Sequence, residues 1–254
     1  MAFVSAIIIA KEHENSINEA VLSAINQSVK IDELIIIDDN SKDNTWNMLH
    51  GLAQTHHQIK LSRNQSVQGQ NKSIAKALKM TDTRTDIIFF QNPQAISDKH
   101  RLKKQLSALK GRDDVDLIGS QVTWIDELQI KQKTINYPLT ITSKDTMPSF
   151  WPYSAIIRKV AFTPAAFEKL NKNLSLRNAL SPNIKGENLN ADYVNVFINN
   201  STEKFEQINA STKNSDISKS QKASKIIIQK LFSAMPNYIA FKILPDKLKL
   251  DFFY

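Results

Sequence analysis

Apolar residues along the chain fall into short continuous runs separated by stretches with helical spacing. Phe3 to Ala10 and Leu34 to Ile37 are runs with almost no polar interruption, the pattern of strands covered on both faces. Between them Ile17, Val21, Ala24 and Ile25 recur at i, i+4, i+7 and i+8, one face of an amphipathic helix, and Ser16 with Glu19 has capping-box spacing at its start. Residues 3–37 therefore read as a βαβ unit. A helix over about 44–54 containing Trp46 and Leu49 follows, then a short strand at 58–61. After a polar loop over 63–72, a helix turns Ile74, Ala75, Ala77 and Leu78 inward, and Asp86 to Phe90 forms a further buried strand. Leu102, Leu106 and Leu109 mark another helix face, and 116–124 and 130–135 read as strands, the second antiparallel.

Beyond residue 137 the pattern is sparser. Ser154 to Arg158 reads as a strand, and Thr163-Pro164 as an N-cap followed by proline at the first helical position, opening a helix to about Leu170. The Asn-, Ser- and Lys-rich 171–190 reads as a loop and Ala191 to Asn199 as a helix. Strands alternating with helices predict an α/β/α sandwich around a mostly parallel sheet over 1–208, with 209–254 as a linker and a C-terminal helical extension. In that extension Ile227, Ile228, Leu231 and Met235 share a helical face, with Lys222 and Lys225 on another, and Tyr238 to Tyr254 mixes aromatics with lysines. Such a segment suits either an anionic membrane surface, through 222–254, or the protein's own core.

Composition narrows the partners. A net charge of +8 and a sequence pI near 9.4 favour an anionic one. Outside the C-terminal tail no nucleic-acid motif or basic stripe with interleaved aromatics accompanies that charge, so nucleic acid is not expected. The absence of cysteine excludes disulfides and thiolate chemistry. No run approaches the ~20 apolar residues of a membrane span, and the chain opens on a strand instead of a signal-peptide pattern. A cytoplasmic protein, at most peripheral on a membrane face, is the expectation.

The candidate chemistry sits where the second strand ends, at Asp38, Asp39, Asn40 and Ser41, followed by Asp43, Asn44 and Thr45. Open α/β sheets bind ligands in the crevice outside the carboxyl ends of their strands. The same residues also suit turns and helix caps. The five histidines, His13, His50, His56, His57 and His100, have no metal-ligand spacing.

Taken together, Val4 to Ile9, the helix ending at Ser28, Glu33 to Thr45, Ile59 to Asn64, Gly69, Asn71, Ala77 and Ile87 to Phe90 resemble the family 2 glycosyltransferases of GT-A fold. The resemblance covers roughly 4–125. It implies transfer of a sugar, with inversion, from a nucleotide-sugar donor, a UDP-sugar foremost, to a saccharide or lipid-linked acceptor in surface polysaccharide or lipooligosaccharide synthesis. The aspartate matching Asp39 would bond the nucleotide base, with Asp38 beside it, and the loop carrying Ala10, Glu12 and Glu14 would pass beside base and ribose. Here Ala10-Lys11-Glu12-His13-Glu14 replaces the family's tyrosine-bearing loop. The family holds a divalent metal, Mn or Mg, on an Asp-x-Asp after the fourth strand, where this chain has Gln91-Asn92-Pro93, so the metal ligands are missing. Arg63 and Lys72 are the cations expected to balance the diphosphate instead. Asp192 is the expected general base on the acceptor hydroxyl, with Glu187 as fallback. The alternative is a GT-A-fold protein without catalysis, serving as a binding or scaffolding partner.

Overall fold

The computed structural model describes residues 2–125, 131–141, 151–172, 174, 176–180 and 184–197. Of the second compact unit, Asn199–Tyr254, no residue is described, so the linker and the basic C-terminal segment lie outside it.

Among the described residues ten strands form one mixed sheet, in the order β3-β2-β1-β4-β9-β6-β10-β5, with β7 paired to β6 and β8 to β10. The strands are β1 (Val4–Ala10), β2 (Glu33–Asp38), β3 (Ile59–Arg63), β4 (Ile87–Phe90), β5 (Ala95–Ser97), β6 (Leu117–Ile125), β7 (Lys131–Ile135), β8 (Thr140–Ile141), β9 (Ile156–Arg158) and β10 (Gly186–Phe197). The helices are α1 (Ile17–Ile25), α2 (Thr45–Thr55), α3 (Gln70–Met80), α4 (Arg101–Leu109), α5 (Pro164–Asn171) and α6 (Leu176–Ala179).

The half of the sheet from β3 to β4 is wholly parallel, with Ile7 opposite Ile35 and Phe90. The β9 strand then runs antiparallel to both β4 and β6, which makes β6, and with it β10, parallel to β4. β1, β2, β4, β6 and β10 therefore run in one direction, with their carboxyl ends on the same side of the sheet, β6 and β10 extending beyond the end of β4. That geometry decides which candidate residues can share a site.

Burial explains the continuous apolar runs. Ala6, Ile8 and Ala10 of β1 and Leu34 and Ile36 of β2 pack in one core with Ile17 and Val21 of α1, Leu49 of α2, and Leu102 and Leu109 of α4. By the two-residue alternation of a strand, Ile7, Ile9, Ile35 and Ile37 face the other way, the side on which α3 packs across β1 and β2. A strand sandwiched between helix layers has no polar face, hence no alternation in its sequence.

Three expectations are corrected. Of the helix expected over Ala191 to Asn199, the described part, 191–197, is strand: β10 runs to Phe197, and Val194 and Val196 are buried while Tyr193 and Asn195 are partly exposed. Tyr and Val suit a half-buried pleated surface, and their period is two, not 3.6. Residues 171–190 are not a plain loop, since α6 and the start of β10 lie within them. Ser16 does stand at the start of α1, but its hydroxyl makes no capping bond; Oγ donates to the Pro93 carbonyl at 2.9 Å. Thr163 does cap α5, accepting from the Ala166 N–H at 3.3 Å ahead of Pro164.

Candidate active site

Asp38 and Asp39 end β2 side by side and point into different surroundings. Asp38 is wholly buried. One oxygen accepts the Ser41 hydroxyl in a short bond, and the other accepts the Ser41 N–H at 3.3 Å and meets Arg63 Nε at 3.0 Å. Arg63 also donates to the Ser41 carbonyl at 2.7 Å and lies 5.1 Å over the Trp46 ring. The guanidinium thus clamps the β2 tip while its side chain stays partly exposed.

Asp39 is 2% exposed. Its Oδ1 accepts from Asn64 Nδ2 at 2.7 Å and the Gln68 N–H at 2.8 Å, and its Oδ2 accepts from the Gly69 N–H at 2.8 Å. A carboxylate offers about four acceptor positions. The chain's own groups fill three, leaving one on Oδ2. Gly69 permits this approach with φ near 87°, a conformation costly for a side chain with Cβ. Lys72 stands in the first turn of α3, exposed and without a hydrogen bond or ion pair to another described residue.

The loop after β1 is stitched to the segment after β2. Ala10 is buried, and its carbonyl accepts the Asp39 N–H at 2.8 Å. The Glu12 N–H donates to Ser41 Oγ at 3.0 Å, the His13 N–H to Thr45 Oγ1 at 2.7 Å and the Glu14 N–H to Asp43 Oδ2 at 3.1 Å. Glu14 returns one bond, its carboxylate accepting the Asn44 N–H at 2.8 Å. Glu12 has φ near 59°, strain that surrounding contacts must hold in place. His13 Nδ1 accepts the Lys11 N–H at 2.9 Å, and burial lowers the imidazole pKa to about 4 against the opposing pull of Asp43. Asp43 Oδ1 accepts the Thr45 N–H at 3.0 Å, so Asp43 to Thr45 form the turn into α2, although Asn44 at its N-cap makes no side-chain capping bond.

At the tip of β4 the chemistry is different. Gln91 is fully buried, and its Nε2 donates to the carbonyls of Asn92 and Ala95 at 3.1 and 2.6 Å. Its Oε1 accepts Ser97 Oγ at 2.5 Å and Arg101 at 3.4 Å. Asn92 Oδ1 is occupied by the Gln94 N–H at 2.7 Å. Neutral amides committed to internal bonds, and a proline, do not fit a hard divalent cation, which takes carboxylate oxygens. Among the described residues no group of three His, Asp or Glu could hold a metal ion.

Asp192 lies in β10 between two register shifts and is exposed, accepting a bond from Thr123 Oγ1 at 2.5 Å. It belongs to a strand bulge, not to a helix start, and falls toward the shared carboxyl margin. Glu187 does not. It pairs with Ile118 near the amino ends of β6 and β10, roughly 15 Å of strand from Asp192. Both its oxygens are held by Arg112 at 2.8 Å, which keeps its pKa below the ordinary carboxylate value. Arg112 thus occupies both oxygens of the fallback base. Sequence reasoning also missed Ser97 and Arg101, which bond Gln91, and Gln105, which bonds Arg101.

A parallel half-sheet with carboxylates at the tip of its second strand and an antiparallel strand after the fourth has the GT-A architecture. The profile described as Glycosyl transferase family 2 matches residues 5–170, and the chain belongs to that family. Asp192 lies beyond the matched stretch. No curated protein matches the chain. Among solved structures, S. aureus TarS 1-349 is similar with a TM-score of 0.56 and 17% identity over 87% of this chain and 68% of that one. TarS 1-349 in complex with UDP-GlcNAc gives 0.57 and 16% over 91% and 72%. The longer TarS structure gives 0.58 and 16% over 93% of this chain but only 43% of its own. At such identities the likeness establishes the fold.

Proposed function

We propose that the chain binds a uridine diphosphate sugar at the carboxyl ends of β1, β2 and β4 and transfers the sugar, with inversion, to a saccharide or lipid-linked acceptor. The observation that carries this is the state of Asp39. Three protein donors fix its carboxylate, and one acceptor position on Oδ2 stays open for an N–H such as uracil N3. TarS structures with UDP-GlcNAc and with UDP support a uridine donor. The strained loop from Ala10 to Glu14 flanks the same tip, and in this reading it passes beside base and ribose. Lys72 is the exposed cation toward the phosphates.

In the reaction an acceptor hydroxyl oxygen bonds to the sugar's anomeric carbon while the bond from that carbon to the β-phosphate oxygen breaks. Asp192 takes the hydroxyl proton, and UDP departs with the bonding pair. Calorimetric titration of UDP, GDP and CMP against the full chain tests the donor. Binding of UDP alone, lost in Asp39→Ala, supports the reading, and equal binding by that variant overturns it. Transfer or hydrolysis that survives Asp192→Asn removes that residue from the base role.

A second reading, a non-catalytic binding protein of the same fold, is favoured by one observation. Both polar atoms of the Gln91 side chain are committed inside the protein, so its amide offers no ligand to a metal. UDP binding without turnover on any acceptor would support it. Membrane contact through 222–254 is likewise a proposal, and equal pelleting of the full chain with anionic and neutral vesicles would end it. No helix of the described residues is long and apolar enough to cross a membrane.

A further inference from the structure

Arg101 opens α4 and is the largest fully buried side chain described. Its guanidinium reaches the β4 tip from behind. It donates to the Phe90 carbonyl at 2.9 Å, Ser97 Oγ at 2.8 Å, Gln105 Oε1 at 3.3 Å, and Gln91 Oε1 and the Ala155 carbonyl at 3.4 Å. Its Cζ lies 4.3 Å from the Phe89 ring centroid. All these acceptors are neutral, and among the described residues no carboxylate pairs with it. Gln105 is itself fixed, donating to the carbonyls of Ile118 and Ser154 at 2.9 and 2.7 Å.

A buried charge without a counter-ion is costly, and apolar replacements of buried ionic groups are often neutral or stabilising. A leucine or methionine would fill this position against Phe89 at no such cost. What an arginine adds is a fixed positive field, weakly screened because it originates in the protein interior. Its source is within hydrogen-bond reach of the last carbonyl of β4, on the crevice margin where the residues present do not fit a metal.

We infer that the Arg101 guanidinium, buried behind Gln91, is a positioning charge that draws the donor diphosphate to the β4 tip and makes donor binding independent of a divalent cation. It acts through the field and touches no substrate. This rests on the nucleotide-sugar reading above, and a pair of ligands separates the two: UDP carries the phosphates, uridine only the base and ribose.

The test is calorimetric titration of the full chain with UDP and with uridine, in EDTA and then in Mn²⁺. The wild type is expected to bind UDP in EDTA, with less than a twofold change on adding Mn²⁺. Arg101→Met is expected to lose about tenfold in UDP affinity with uridine affinity unchanged, and Arg101→Lys to recover most of it. Should Arg101→Met not fold, Gln91→Asp carries the test, because a carboxylate beside the guanidinium cancels its charge and weakens UDP binding in EDTA severalfold. Wild-type UDP binding that requires Mn²⁺, or wild-type affinity in Arg101→Met or Gln91→Asp, overturns the assignment of Arg101 and leaves the nucleotide site standing. Failure of the wild type to bind either ligand overturns both.

Discussion

The tips of β2 and β4 lie on the same margin of the sheet, on either side of β1, and handle buried charge in opposite ways. At β2 two carboxylates are each satisfied by ionic or N–H donors, Asp38 by Arg63 and Ser41, Asp39 by Asn64, Gln68 and Gly69. At β4 a single guanidinium is surrounded by neutral acceptors and has no carboxylate partner among the described residues. The first arrangement is one that folding itself rewards, since each charge is hydrogen-bonded and one is ion-paired. The second is not, because five neutral contacts only partly replace the hydration of a cation. The lesson is that the β2 tip doubles as scaffold, whereas the β4 tip holds a charge whose retention points away from stability.

Paired substitutions give the largest separation. Asp39→Ala leaves Asn64 Nδ2 and the amides of Gln68 and Gly69 without their acceptor. The expected loss is about 3–5 kcal/mol, at 1–3 kcal/mol for each orphaned donor with some relaxation. Arg101→Met removes a costly buried charge but leaves Gln105 Oε1 without its donor, so the two effects offset and the expected loss is at most about 1–2 kcal/mol. Urea denaturation of both variants measures the difference. A loss in Arg101→Met as large as that in Asp39→Ala would make both tips scaffold and erase the contrast.

Acid separates the two tips next. His13 belongs to the loop stitched to the β2 tip, and burial lowers its pKa to about 4 from 6.5. Between those values the unfolded chain binds the proton and the folded one does not, so stability falls as pH drops from about 6.5 to 4. The full shift corresponds to about 3 kcal/mol, and partial exposure of the ring reduces the expectation to about 2 kcal/mol. Denaturation midpoints at pH 7 and 4.5 check this. His13→Asn should flatten the profile, and an unchanged slope would assign the acid sensitivity elsewhere.

The two tips also differ in how far the sequence discloses them. The β2 tip is legible because a strand covered on both faces ends abruptly in Asp38 and Asp39, and because local spacing marks α1, α2 and α3. Its internal satisfaction is not legible, since Gln68 and Gly69 reach Asp39 from a loop about 30 residues later. At β4 the replaced carboxylates are visible as Gln91-Asn92-Pro93, but what fills their place is set by tertiary contacts. Arg101 and Gln105 carried a faint signal: four residues apart, they share the buried side of α4 with Leu102 and Leu109. Among Lys99, His100, Arg101, Lys103 and Lys104 nothing else distinguishes the one that is enclosed. The β5 strand escaped notice because its three residues pair with β10, roughly a hundred positions away. The β10 strand was misread because Ala191 and Asp192 resemble a helix start, while the alternation of Val194 and Val196 is too short to outweigh them.

The smallest effect bears on how the β4 tip is held. Ser16 sits at the start of α1, where a serine ordinarily caps, yet its hydroxyl spans to the Pro93 carbonyl at 2.9 Å. A capping role and a bracing role both predict that Ser16→Ala costs about 1 kcal/mol, so stability alone does not separate them. Amide hydrogen exchange does. Loss of a cap would free amides in the first turn of α1. Loss of the brace would leave α1 intact and expose the turn in which the Gln94 N–H bonds Asn92 Oδ1 at 2.7 Å and the Ala95 N–H bonds the Asn92 carbonyl at 3.2 Å. Faster exchange at Gln94 and Ala95, with Ala20 unchanged, is the expected result. The reverse pattern would mean that the β4 tip keeps its shape without α1, and that Gln91, Ser97 and Arg101 alone maintain it.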